Sequence, residues 1–189
     1  MVINFEAQFI IQELLIVHER RSEIMKDKFL CVMAQYDIET EYKLKEIQNL
    51  LADNGFVGRQ TSNLPNHITL GSFDISQEVL IKEKVKMVSK QFHKFDIKLN
   101  NIGLFGLDVL FIAPSVNYEL LNLQQYFNHD LADRLGWTAH TTILIDNQES
   151  ILKALPYVSD NFKSFTGKIE SISLYEFWPT RFILEKKLL

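Results

Sequence analysis

The chain has 189 residues and a formal net charge of −4, with 24 acidic against 20 basic side chains. That length, with 47% hydrophobic residues, fits one domain with a sizeable core. The mild, interspersed acidity excludes a protein that grips long nucleic acid through a basic stripe, and DNA is not an expected partner. The seven glycines form no phosphate-cradling loop. A lone cysteine, Cys31, excludes an internal disulfide and fits a reducing compartment. No apolar run is long enough to span a membrane, and the N-terminus lacks the features of a signal peptide. The expectation is a soluble, cytoplasmic chain without membrane contact.

Residues 1–27 read as an amphipathic helix, with Ile3, Ile10, Leu14, Val17 and Ile24 on one stripe. It forms a segment of its own, packed on the domain or serving self-association, ahead of a single domain over residues 28–189. Phe29 to Tyr36 reads as a buried strand. Glu39 to Asn54 reads as a helix that stops at Gly55, and a polar loop follows from Gly58 to Pro65. A strand runs from His67 to Phe73, then a helix from Gln77 to about Phe92, capped by Asp74 or Ser76. Asp96 to Leu104 and Leu107 to Pro114 read as strands joined around Gly103 and Gly106. Asn117 to Leu135 is helical and ends at Gly136. A strand from His140 to Ile145, a short helix from Gln148 to Tyr157, and strands over Ser164–Phe177 and Phe182–Leu189 complete the chain. The order strand, helix, strand, helix, strand occurs twice, so the halves form a repeat in outline.

Two triplets occupy matching places in that repeat: His67-Ile68-Thr69 and His140-Thr141-Thr142. With five His and eight Thr in 189 residues, about 0.2 such triplets are expected by chance, and two roughly 2% of the time. In an extended strand, side chains two apart share a face, so each triplet presents an imidazole beside a hydroxyl. Histidine gives and takes protons near neutral pH, and a fixed hydroxyl donor suits an anionic oxygen. Two such pairs across a cleft point to acid–base chemistry on a phosphate. The other histidines, His18, His93 and His129, read as solvated or structural. Neither triplet has a carboxylate at ligand spacing, so no metal and no other cofactor is expected.

On these residues the chain resembles the two-histidine phosphoesterase superfamily, marked by one His-x-Thr/Ser triplet in each half, each followed by an apolar residue. His67-Ile68-Thr69-Leu70 and His140-Thr141-Thr142-Ile143 match. The stretch Ile97 to Phe105 looks like the family's central strand and glycine turn, and Ile172-Ser173-Leu174-Tyr175 like its final strand. The resemblance covers about residues 28 to 178. Ala139 stands where many members have Pro, and Leu144, Ile145 and Asp146 where some bacterial members have Arg.

The resemblance implies an α+β fold of two lobes, a pseudo-twofold repeat of antiparallel sheets with outer helices and a groove between the lobes. It implies a metal-independent phosphodiesterase, or a reversible ligase, acting on 2′,3′-cyclic or 2′,5′-linked phosphates of nucleotides or RNA ends. His67 and His140 are the expected acid and base, in an unassigned order. Thr69 and Thr142 are expected to hold the phosphate. Strand parity adds Phe73 as a residue lining the groove, and Tyr175 and Trp178 near the final strand as further stacking surfaces for a base; for all three, core packing is the competing reading. A second reading is a nucleotide-binding or RNA-end-binding module of the same fold with little turnover. A third is an interaction protein working through residues 1–27.

Overall fold

The computed structural model describes residues 28–128 and 136–189. The expected helix at 1–27, with His18, and the 129–135 stretch of the fourth expected helix, with His129, lie outside the described residues. The elements in chain order are β1 (Phe29–Tyr36), α1 (Ile38–Asp53), β2 (His67–Asp74), α2 (Glu78–Val88), β3 (Phe95–Phe105), β4 (Val109–Ser115), α3 (Tyr118–Gln125), β5 (Thr141–Ile145), α4 (Gln148–Asn161), β6 (Phe165–Phe177) and β7 (Arg181–Lys187). A single 3-10 turn, Ile75–Gln77, leads into α2.

Local chemistry explains where the helices begin. Asp37, Asn117 and Asn147 each accept a hydrogen bond from the backbone N–H three residues on. Such a cap satisfies an orphan donor of the first turn and contributes about 1 kcal/mol. Asp74 caps the 3-10 turn through the Ser76 N–H, 2.8 Å away. The helix expected to reach Phe92 ends at Val88, and His93 beyond it is exposed.

All strand pairs are antiparallel, and the sheet order is β2-β1-β6-β3-β4-β5, with β7 beside β6. This order is the repeat made visible. β3 closes the first half of the chain but lies beside β4 of the second; β6 closes the second half but lies beside β1 of the first. The exchange joins two antiparallel lobes into one continuous sheet. β6 is long enough to serve both: Phe165–Ile169 pairs with β3, and Ile169–Phe177 with β1.

Alternation decides the faces. On β1, Leu30, Val32, Ala34 and Tyr36 join a main core that takes Leu44 and Leu51 of α1, Ile81 and Val85 of α2, Leu120 and Leu123 of α3, and Ile151 and Val158 of α4. Each fully buried Leu, Ile or Val contributes about 1.5–3 kcal/mol. Cys31, Met33 and Gln35 point the other way, where Cys31 and Met33 form a second, smaller apolar cluster with Phe177. Among the described residues no helix is long and apolar enough to cross a membrane.

The triplet strands β2 and β5 end up at opposite edges of the sheet path. Curvature of the sheet brings these edges back together, and side chains rather than a backbone ladder join them.

Candidate active site

The two edges meet through hydrogen bonds to the first triplet's own carbonyls. Thr141 donates from Oγ1 to the His67 carbonyl at 3.0 Å, and Trp137 donates from Nε1 to the Thr69 carbonyl at 2.8 Å. Thr141 thereby spends its single hydroxyl hydrogen. Tyr36, whose hydroxyl lies 2.6 Å from Thr141 Oγ1, must then be the donor in that contact. Burial pushes the Tyr36 hydroxyl far above its ordinary range, with the Thr141 bond opposing, so it stays protonated and remains a donor. Asn66, just before His67, is pinned from α1: its N–H donates to Glu41 Oε2 at 3.0 Å, and its side-chain oxygen accepts from Gln48 Nε2 at 3.1 Å.

The two histidines are oriented by the same device. His67 Nδ1 donates to the Pro65 carbonyl at 2.8 Å, and His140 Nδ1 donates to the Thr138 carbonyl, also at 2.8 Å. A carbonyl only accepts, so Nδ1 carries the hydrogen in each ring and Nε2 is left free to work on a substrate. Burial, opposed by the Pro65 carbonyl and assisted by His140 nearby, pushes His67 down from 6.5 to about 4. Burial also lowers His140, against the Thr138 carbonyl. His140 differs in its neighbours: the rings of Phe105 and Phe111 lie 4.7 and 5.3 Å from it. Phe105 stands at 90° to the imidazole and Phe111 at 58°; a ring within about 6 Å favours a cation that lies over its face. Gly103 makes room for this packing, because a Cβ there would sit 2.3 Å from carbons of the Phe111 ring.

A cavity of about 620 Å³ opens beside the triplets, lined by His67, Thr69 and Thr142. His140 is not on its wall; it packs against Phe105 and Phe111. No described side chain lining the cavity is a carboxylate, and Lys45 is the lysine or arginine among them. In a chain with 24 acidic residues that exclusion suits an anionic occupant. The Thr69 hydroxyl lies 3.8 Å from the Cys31 sulfur. Among the described residues no group of three His, Cys, Asp or Glu side chains is placed to hold a metal ion.

The three aromatic candidates separate. Phe73 does not line the groove: it is 3% exposed and belongs to the main core. The cause is a register shift, since Val32 pairs with Gly71 but Met33 with Thr69. One extra residue in β2 flips the parity beyond it, and Ser72 takes the groove-facing place. Tyr175 lies on the groove side of β6, opposite Cys31, packed between Phe177 and Phe182 at 6.4 and 5.4 Å, and it does not reach the cavity wall. Trp178 does, and it is 44% exposed.

Trp137, Tyr36, Phe105 and Phe111 were not legible as site residues. Thr141 carried one signal: a polar side chain whose strand parity aims it away from His140 and Thr142, into the protein.

No protein-family model matches the chain, and no curated protein sequence matches it. Solved structures do. E. coli LigT in apo form is 14% identical, with a TM-score of 0.52 over 85% of this chain and 97% of that one. The Thermus thermophilus protein TT0787 is 12% identical, with a TM-score of 0.58 over 85% and 97%. A protein described as a phosphoesterase is 14% identical, with a TM-score of 0.53 over 85% and 98%. LigT has also been solved with 3′-AMP and with phosphate.

Proposed function

We propose that this chain, which has the LigT fold of the two-histidine phosphoesterases, is a metal-independent phosphodiesterase of nucleotides or RNA ends that acts on 2′,3′-cyclic or 2′,5′-linked phosphates, with ligation as the reverse reaction. The observation that carries this reading is the closeness of the two triplets, each imidazole held by the same Nδ1–carbonyl bond and each near enough to the other for His140 to bear on His67, with His67, Thr69 and Thr142 on the wall of a cavity that has no carboxylate among its described lining residues. The complexes of LigT with 3′-AMP and with phosphate are in keeping with a nucleotide phosphate as occupant.

Each residue has a role in opening a cyclic phosphate. Thr69 and Thr142 donate hydroxyl hydrogens to the non-bridging oxygens, whose negative charge persists through the transition state. His67, the more strongly depressed imidazole, is neutral and serves as base: its Nε2 takes a proton from water as the water oxygen bonds to phosphorus. His140, flanked by two aromatic rings, serves as acid: its Nε2–H protonates the ribose oxygen as the P–O bond breaks. A phosphate between them raises both imidazoles by opposite charge and so helps load His140 with its proton. The step leaves His67 protonated and His140 neutral, and exchange with solvent resets them. In ligation a 5′-hydroxyl takes the place of the water and the roles are the same; in the cleavage of a 2′,5′ linkage to a cyclic phosphate and a 5′-hydroxyl they reverse.

The test is product analysis on a panel of 2′,3′-cyclic and 2′,5′-linked substrates, with His67→Ala and His140→Ala. Loss of turnover in each variant is expected. Full activity in either variant would sink the two-histidine scheme. Nucleotide binding without product in the unaltered protein would return the chain to a binding module.

A further inference from the structure

We propose that the site accepts a substrate of at least two nucleotides, and that Trp178, backed by the rings of Phe29 and the buried Phe177, forms the platform for the base one residue away from the reacting phosphate. This rests on the phosphoesterase reading above and names the length of its substrate.

Strand register lays out the groove floor. Opposite His67 stands Gln35, opposite Thr69 stands Met33, opposite Ser72 stands Cys31, and opposite Asp74 stands Phe29. On the other side of β1, the same positions meet Ser171, Ser173, Tyr175 and Phe177. The floor is therefore polar beside His67, where Gln35 donates to Ser173 Oγ at 2.6 Å. It turns apolar through Met33 and Cys31 and ends in aromatic rings. Phe29 and Phe177 stack at 5.5 Å and 18°, and Trp178 meets Phe177 at 5.0 Å. Both ends belong to one cavity, which runs from His67 and Thr69 to Phe29, Phe177 and Trp178.

Distance then selects the occupant. Four residues of β1 separate Met33, beside Thr69, from Phe29, and at about 3.4 Å per residue that is roughly 14 Å. The base on the ribose that bears a cyclic phosphate begins four bonds from phosphorus; at about 1.5 Å per bond its ring nitrogen lies within roughly 6 Å and its far edge within roughly 11 Å. That base falls short of the platform, whereas the next nucleoside reaches it. A half-exposed indole beside stacked phenyl rings suits the face of any base, so the preference is for length rather than sequence.

The experiment compares kcat/KM for a 2′,3′-cyclic mononucleotide with that for a dinucleotide ending in the same cyclic phosphate, in the unaltered protein, Trp178→Ala and Trp178→Phe. Stacking of one base predicts a preference for the dinucleotide of roughly tenfold or more, carried mainly by KM. Trp178→Ala should lose most of that ratio, and Trp178→Phe should keep most of it. Equal kcat/KM for the two substrates, or a ratio untouched in Trp178→Ala, overturns the platform and leaves the phosphoesterase reading standing. If neither substrate turns over, that reading falls instead. Calorimetric binding of a mononucleotide and a dinucleotide phosphate then decides the platform by itself, and equal affinities overturn it.

Discussion

Thr141 donates its hydroxyl hydrogen to the backbone carbonyl of His67 across 3.0 Å, so the middle residue of the second triplet holds the first residue of the first. The bond ties together two edge strands that share no backbone ladder. Thr141→Val keeps the shape and removes the bond, leaving the buried Tyr36 hydroxyl without its acceptor. We expect a loss of about 1–3 kcal/mol in stability. Displacement of His67 should lower kcat by up to about 10²-fold with a smaller change in KM, and Thr141→Ser should restore it. Urea titrations and steady-state kinetics on both variants check this; a Thr141→Val protein that is destabilised but catalytically intact confines the bond to a structural role.

The pH dependence of turnover follows from the two imidazoles. His67 must be neutral to act as base and is held near 4. His140 must be protonated to act as acid, and burial places it below 6.5. For the free enzyme, kcat/KM should therefore trace a bell on the acid side of neutrality, with its acid limb near pH 4 and its alkaline limb below 6.5. The two limbs belong to the interacting pair rather than to either ring alone. A plateau extending above pH 8 contradicts the assigned roles. EDTA should leave the profile unchanged.

Stability should respond to the same burial. Between pH 4 and 6.5 the unfolded chain protonates His67 while the folded chain keeps it neutral, so the unfolded state binds more protons. Stability therefore falls as pH drops through that window and levels off above it. Chemical denaturation at pH 4.5 and 7 should show the loss, and His67→Gln should reduce it. An unchanged pH dependence in that variant would remove His67 as its source.

The phosphate clamp predicts that Thr69→Val and Thr142→Val each lower kcat by roughly 10²–10³-fold, the scale for losing one donor to an anionic oxygen. Affinity for inorganic phosphate, followed by phosphorus NMR, should weaken in both.

Gly103→Ala tests the aromatic support of His140. The added methyl would lie 2.3 Å from carbons of the Phe111 ring, which therefore has to move. Overpacking of this kind costs about 1–3 kcal/mol. The displaced ring should also shift the His140 proton signals in NMR spectra while altering those of His67 less. Unmoved His140 signals would show that the ring does not support that imidazole.

Much of the site was legible before any fold was known, because its elements are local. A His-x-Thr triplet in an apolar run needs only the two-residue period of a strand to put imidazole and hydroxyl on one face. The boundaries of β1, which runs over Phe29–Tyr36, are local in the same sense. Phe73 shows where this logic fails: the parity argument assumes an unbroken ladder, and the shift between Val32 and Met33 inserts one extra residue into β2. Such a shift is set by how two strands twist and pack against each other, and it leaves no mark in the sequence of either.

The sequence by itself determined the chemistry on offer: two imidazoles, two hydroxyls, their strand setting and their places in a repeat. The tertiary structure decided that they lie close together. The sheet order puts β2 and β5 at opposite edges, and only the curvature of the sheet, held by Thr141 on the His67 carbonyl and Trp137 on the Thr69 carbonyl, brings those edges together. The same closure settled which imidazole is buried more deeply, which one has phenyl rings beside it, and which aromatic side chains reach the groove. Burial and proximity are properties of the whole packing, and residues about seventy positions apart acquire them only when the chain folds.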